Sequence, residues 1–413
     1  MKKYLIALSL LKAFCSCHHD DDDNKESEDT IAKRTVLVYM AAENNLNRFS
    51  ESDLTEMKTG SKSLAGNQNL IVYVDEANQN RTPFLARVKN GALVDTLYME
   101  ESLTADPAVL EKVLRTTKDK YPAKSYGLVL WGHASGWIIS KDSIAYAHSR
   151  AYGGDTSTNS SSSSGKYWMN IPSMTKAIAN AMGDDTLKFV IGDCCSFGCI
   201  EVAYELRNVT DYVIASPAEI PDEGAPYDLI TPMMFLDTDN FYEEVINSYY
   251  DYYKNNPTNG LAGFSLPLSA IYTRELDNFA HATADILTTM ADKLNNPSSL
   301  DLANVTYYAM YSNYRYSYDI NSVLKKNAAL ADYNNWLTAY NRAVPFHLYS
   351  QKWQTQYGPL KAAMDTFDPE GKDCGVVSMF FPSTDYSNTN PNWNTAIQRF
   401  QWNNVVRWQQ YGW

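Results

Sequence analysis

The sequence predicts an α/β protein, a mostly parallel sheet flanked by helices, followed by a mainly helical C-terminal region. Three observations carry this. Four continuous apolar runs, Thr35–Met40, Asn69–Val74, Gly127–Trp131 and Leu187–Ile191, have the character of strands covered on both faces. Helical patterns separate them in the βαβ alternation. After Tyr227 the composition shifts to longer helical patterns rich in tyrosine. At 413 residues and 45% hydrophobic content the chain can bury one large core or two moderate ones. Its net charge of -13 excludes a nucleic-acid backbone as partner and suits a positively charged substrate or peptide.

Taken in order, residues 1–29 read as a targeting segment. Lys2 and Lys3 precede the short apolar run Tyr4–Leu11, which is too short to span a bilayer and reads as a secretory signal. Phe14-Cys-Ser-Cys17 has the form of a bacterial lipoprotein processing site, with Cys17 as the lipidated residue. The acidic run Asp20–Asp23 and the charged stretch to Asp29 read as a solvated tether. A first domain is expected over 30–235 and a mainly helical subdomain over 236–413.

Within the first domain, Ser50–Ser63 is expected to be helical, and Phe84–Val88 with Leu93–Tyr98 to form a hairpin. Asp106 caps a helix that has Pro107 at its first position and runs to Lys120. Ile171–Met182 is the next helix. Between them Thr156–Gly165 is a serine-rich exposed loop. In the second half, Phe241–Tyr253 and Ala270–Leu294 are expected to be helical, with tyrosine-rich helices through Val344. Gly375–Pro382 is one more apolar strand, expected to return to the sheet. The 30 tyrosines fit core packing. Trp402, Trp408 and Trp413 either pack the helices or present an aromatic platform for a glycan.

The chemistry gathers at two strand ends. The run Phe189–Asp193 leads into Cys194-Cys195, and the run Tyr126–Trp131 leads into His133. The carboxyl ends of parallel strands open into a crevice, and a following helix would aim its positive end there, favouring a thiolate. Two adjacent strands would bring His133 to a cysteine. Strand alternation sends Cys194 and Cys195 to opposite faces, so only one faces the crevice. That divergence also argues against a zinc site built from Cys194, Cys195, Cys199 and His133. Cys194, Cys195, Cys199 and Cys374 make no disulfide framework, although a pairing of Cys199 with Cys195 or Cys374 stays open.

Four blocks resemble the clostripain family of cysteine peptidases: Thr35–Leu46, Tyr126–Trp137, Asp193–Ala203 and Ala215–Tyr227. The resemblance implies a caspase-like fold and a secreted endopeptidase that cleaves after Arg or Lys. It implies His133 as the general acid/base, Cys195 as the nucleophile, and Asp193 as the acid recognising the basic substrate side chain, with Glu223 or Asp222 as a second acid. Arg150-Ala151 resembles the family's self-processing junction, with Lys141 as second choice. Two departures stand out. Ala134 follows the histidine where the family has glycine, and Ser216-Pro217 replaces a more acidic segment. The expected partner is a peptide or protein with Arg or Lys at P1, and the expected location an outer-membrane or cell-surface lipoprotein. No cofactor is required, and no loop has the spaced carboxylates of a calcium loop, so calcium stays open. The alternative is an inactive surface lipoprotein that binds glycan or protein through its aromatic C-terminal half.

Overall fold

The computed structural model describes residues 31–76, 81–138, 151–155, 167–256, 266–296, 299–311, 314–357, 366–368, 373–389 and 392–413. Among them nine strands form a central sheet. They are β1 (Arg34–Ala42), β2 (Gln68–Glu76), β3 (Phe84–Lys89), β4 (Ala92–Tyr98), β5 (Tyr126–Trp131), β6 (Phe189–Asp193), β7 (Tyr212–Ala215), β8 (Leu268–Tyr272) and β9 (Phe346–Leu348). Their spatial order is β9-β8-β7-β6-β5-β1-β2-β3-β4. The five strands from β7 to β2 run parallel, and β3 and β8 pair antiparallel at the two flanks.

All nine residues of β1 are buried, as its unbroken apolar run requires. Alternation then divides them. Leu37, Tyr39 and Ala41 enter one core, and Val36, Val38, Met40 and Ala42 enter the other. The first core is covered by α2 (Pro107–Lys120), α3 (Ile171–Met182), α4 (Ile200–Leu206) and α7 (Leu276–Thr289). The second lies under α1 (Asn47–Gly60), α5 (Tyr227–Met234) and α6 (Phe241–Asn255). Each fully buried Val or Leu in these layers contributes roughly 1.5–3 kcal/mol. Close packing is fixed at single residues: a Cβ on Gly127 of β5 would sit 2.3 Å from the Phe189 ring of β6.

α2 starts as its sequence prescribes, with Asp106 accepting a hydrogen bond from the Ala108 N–H at 2.9 Å and Pro107 in the first turn. The chain runs from β1 to β2 on one side, then returns through α2 to β5 on the other side of β1. The crevice at the carboxyl ends of β1 and β5 is therefore the sheet's topological switch point, where such folds hold ligands.

The second half differs from its expectation in three places. Residues 270–272, expected to open a helix running to Leu294, belong instead to β8, and α7 starts only at Leu276. Tyr307–Tyr311 and Tyr314–Asp319 are paired strands, in keeping with the preference of tyrosine for pleated, half-buried surfaces. Ser378–Met379 does not return to the central sheet; it pairs with Tyr314–Asp319 in a separate four-stranded sheet. Trp402 and Trp408 are 0% exposed, so they pack the interior and present no platform.

Candidate active site

β5 and β6 pair in register with Trp131 opposite Asp193, and the Gly132 N–H continues the ladder to the Asp193 carbonyl at 3.3 Å. His133 and Cys195 thus leave adjacent parallel strands at equal offsets. His133 opens a short strand, His133–Ala134, that pairs antiparallel with Tyr152–Asp155. Its Nε2 lies 2.8 Å from Oδ1 of Asn45, the turn residue that follows β1. With the amide oxygen as acceptor, Nε2 carries the proton of the neutral ring and Nδ1 is its basic nitrogen. Three neighbouring strands therefore supply Asn45, His133 and Cys195.

The Asn45 turn is held by its neighbour. Asn44 Nδ2 donates to the carbonyls of Ala41 at 2.9 Å and Gly153 at 3.1 Å, and Asn44 Oδ1 accepts from the Leu46 N–H at 2.9 Å. Trp168 lies beside the imidazole, with ring centroids 6.4 Å apart and the two planes tilted by 44°.

The two adjacent cysteines separate as alternation requires. Cys194 is buried in the core beneath α3 and α4, whereas half-buried Cys195 packs at the margin of the opposite core. Burial raises the thiol pKa of both Cys194 and Cys199 well above the ordinary range, so neither is suited to act as a thiolate. The four described cysteines form no disulfide with one another. One expectation is corrected: α4 starts at Ile200, so its amino end lies at Cys199 and not at the end of β6.

After Cys195 the backbone turns through Ser196 at φ +56°, a left-handed conformation unusual outside glycine. The Ser196 N–H donates to the Ala218 carbonyl and the Gly198 N–H to the Ser216 carbonyl, both at 2.8 Å. Ser216 is fully buried and its hydroxyl donates to the Ala218 carbonyl, so Ser216-Pro217 serves as a backbone platform under this turn. From the histidine side Gly136, at φ +65°, packs on it: an added Cβ would lie 2.6 Å from the Ser196 carbonyl oxygen. Ala134 is not among the residues at positive φ, so no glycine is demanded there. The Ser135 N–H donates to the Ala151 carbonyl at 3.0 Å, which makes Ala134–Tyr152 a non-hydrogen-bonded pair. The Ala134 amide is thereby left out of that ladder.

Asp193 is 3% exposed. Its Oδ2 accepts from the Tyr227 hydroxyl at 2.8 Å and its Oδ1 from the Tyr249 hydroxyl at 3.2 Å. Burial pushes this carboxyl up to about 6, against the pull of those hydrogen bonds. Gly224 lies directly on it, with room for no side chain: a Cβ would sit 3.0 Å from Oδ2. Two further acids on α1 border the same region. Asp53 accepts from Trp131 Nε1 at 2.6 Å and is pushed up to about 8, by burial and then by the Asp193 charge. Glu56 accepts from the Tyr227 N–H at 3.0 Å and is pushed up to about 7, mainly by burial. Sequence reasoning missed both, because they lie more than a hundred residues from β6 and read as ordinary helical acids. Glu223 is half-buried, and its charge bears with that of Asp193 on Tyr253. Asp222 instead pairs with Arg48 at the surface, at 3.0 Å.

Ala151 is 1% exposed and immediately precedes the strand that pairs with the histidine. Arg150, Lys141 and Cys17 lie outside the described residues.

The clostripain family profile matches residues 38–410, nearly the whole described chain. The chain belongs to the clostripain family. Clostripain of Hathewaya histolytica is 26% identical over 234 residues, half of this chain and 43% of that protein, so this chain spans well under two thirds of that relative. A secreted C11 cysteine protease from Bacteroides thetaiotaomicron, solved with an irreversible peptide inhibitor, is 27% identical with a TM-score of 0.75, covering 92% of this chain and all of the other. An inactive zymogen C11 protease from Parabacteroides distasonis is 26% identical with a TM-score of 0.71, over 91% and 99% of the two chains. The sheet and helices of this clostripain-family chain are thus those of the C11 cysteine proteases.

Proposed function

We propose that this protein is a cysteine endopeptidase that cleaves peptide bonds after arginine or lysine. The single observation that carries it is the register of β5 and β6, which sets His133 and Cys195 at matching exits of adjacent strands with Asp193 two residues before the thiol. The Cys195 thiol gives its proton to His133 Nδ1, and the sulfur attacks the scissile carbonyl carbon. The carbon–nitrogen bond breaks as the imidazolium returns that proton to the departing amine, leaving a thioester. His133 then takes a proton from water, whose oxygen displaces the sulfur and releases the carboxylate. Asn45 steadies the imidazolium through the Nε2–H. The amides of Cys195 and Ala134 are assigned to the oxyanion.

Selectivity for a basic side chain rests on Asp193, with Asp53, Glu56 and Glu223 around it. Asp193, Asp53 and Glu56 are burdened by their own burial, and an entering guanidinium or ammonium relieves them while gaining charge-assisted hydrogen bonds. Self-processing after Arg150 is part of this reading. Its support is Ala151, whose carbonyl is already bonded to Ser135, so a new amino terminus there would stay fixed beside His133. Export and lipidation at Cys17 rest on the sequence and on the secreted relative. Among the described residues no helix is long and apolar enough to cross a membrane.

The test is turnover of fluorogenic peptides ending in Arg, Lys, Ala or Asp, with a Cys195→Ala control and a gel of both chains. Cleavage after Arg and Lys that disappears in the control is expected, together with chain splitting at Arg150 in the active protein only. Absence of turnover under reducing conditions would overturn the proposal.

A further inference from the structure

The turn that follows Cys195 is tied to its surroundings from three directions. The platform at Ser216–Ala218 holds it through the Ser196 and Gly198 amides. From the second half of the chain, the Ser378 N–H donates to the Gly198 carbonyl at 3.2 Å, and Ser378 forms an isolated parallel bridge with Cys199. From the histidine side, the Trp137 N–H donates to the Cys199 sulfur, and a Cβ on Gly136 would sit 3.2 Å from that sulfur. Cys199 is therefore where the turn meets both the loop after His133 and the 378–380 segment.

One carboxyl group joins these last two. Glu201, the second residue of α4, is 0% exposed. Its Oε1 accepts from the Phe380 N–H at 2.8 Å, and the Cys199 thiol donates to the same carboxyl group. Oε2 is enclosed and meets no N–H or O–H donor. A carboxyl group so placed is costly to bury, and an apolar side chain of similar volume would fill the space more favourably. Favouring the first turn of α4 does not account for it, since an acid can do that from the surface, where water satisfies both oxygens. What the buried position adds is the join between Cys199 and Phe380.

We propose that Glu201 is a positioning residue for the reacting pair: by fixing Cys199 between Trp137 and Phe380, it holds the turn after Cys195 in register with the loop after His133. The proposal rests on the peptidase reading above. Its effect passes back along the four residues from Cys199 to the nucleophile. A misplacement of about 1 Å there is enough to spoil the approach of sulfur to carbonyl carbon and imidazole. Asp193, by contrast, lies on β6 ahead of the turn, so the grip on a basic side chain is left intact. Burial holds the Glu201 carboxyl at about 7, so its neutral form is well populated near neutral pH, and glutamine imitates that form.

The test compares Glu201→Leu and Glu201→Gln with the unaltered full chain in steady-state kinetics on an arginine peptide, in melting curves, and in the rate of Cys195 alkylation by iodoacetamide. Alkylation needs no peptide, and the other described cysteines are buried. Glu201→Leu should lower kcat about tenfold or more with KM within about twofold, slow the alkylation of Cys195, and leave Tm unchanged or higher. Glu201→Gln, able to accept from Phe380 and to donate to the sulfur, should restore most of the rate. Should the leucine variant fail to fold, Cys199→Ala cuts the same join at its other member and is expected to show the same split. A normal kcat in Glu201→Leu would overturn the proposal, as would a loss that follows Tm and is shared by Glu201→Gln. Absence of turnover in the unaltered chain would instead defeat the peptidase reading. Alkylation would then decide alone, an equal rate in that chain and in Glu201→Leu removing the positioning role.

Discussion

Asn45 is the residue whose importance the sequence hid most completely. It sits in an Ala-Ala-Glu-Asn-Asn-Leu turn with an asparagine on its other side, and only the fold reveals that Asn44 braces the backbone while Asn45 reaches the imidazole. Asn45→Ala should lower kcat about tenfold or more with little change in KM, since the lost contact orients the histidine and does not touch substrate. Steady-state kinetics on an arginine peptide measure this, and a normal rate in Asn45→Ala would remove Asn45 from the mechanism. Asp193 makes a prediction through pH. Its carboxyl is held at about 6 and must be ionised to meet a cation, so kcat/KM for arginine peptides should fall as pH drops through that value. Asp193→Asn should abolish selectivity for Arg over Ala and lose that share of the acidic limb. The placement of His133, Cys195 and Asp193 at neighbouring strand exits was legible in the sequence, because each stands within two residues of a strand end. The nearness of Asp53 and Glu56 to Asp193 was not, since it depends on which way a helix faces.

Among the elements, the two turns after β5 and β6 act as one unit. Gly136 combines a left-handed backbone with contact on the Ser196 carbonyl, so Gly136→Ala should push the Cys195–Ser196 turn outwards. A loss of about 1–3 kcal/mol in stability is expected, together with a drop in kcat larger than that loss of folded protein explains. Denaturant unfolding and active-site titration separate the two effects. Four of the five parallel strands, β1, β2, β5 and β6, were readable with α1–α3 because apolar runs alternate with helical periods, and the Asp106-Pro107 start marks α2; β7, only four residues long, was not. β8 was not: its five residues adjoin α7 without a glycine or proline break, and periodicity cannot divide so short a strand from the helix that follows. The tyrosine strands failed for a related reason, since helical spacing and strand alternation coincide over a few residues.

For the whole molecule, the buried acids set a direction for stability. Asp53, Glu56, Asp193, Glu201 and Asp319 are all held above ordinary carboxylate values, at about 8, 7, 6, 7 and 6, chiefly by burial. The folded chain therefore binds protons more tightly than the unfolded chain. Their contribution is fully present below about pH 4 and is lost as pH rises through 6 to 8. Melting temperature should accordingly climb as pH is lowered from about 8 to about 5, the exposed ion pairs opposing this only weakly. A Tm that falls steadily over that range would show that these acids are better solvated than their burial indicates.

The site draws Asn45, His133 and Cys195 from the ends of three strands that neighbour one another in space but lie far apart along the chain. No local segment can assemble it, and non-local pairing of this kind comes late and slowly in folding. The candidate site thus depends on the closed sheet for its very existence. Under the proposed peptidase reading, a chain whose sheet has not yet closed carries every reactive atom but no assembled site, and gains activity only with the fold.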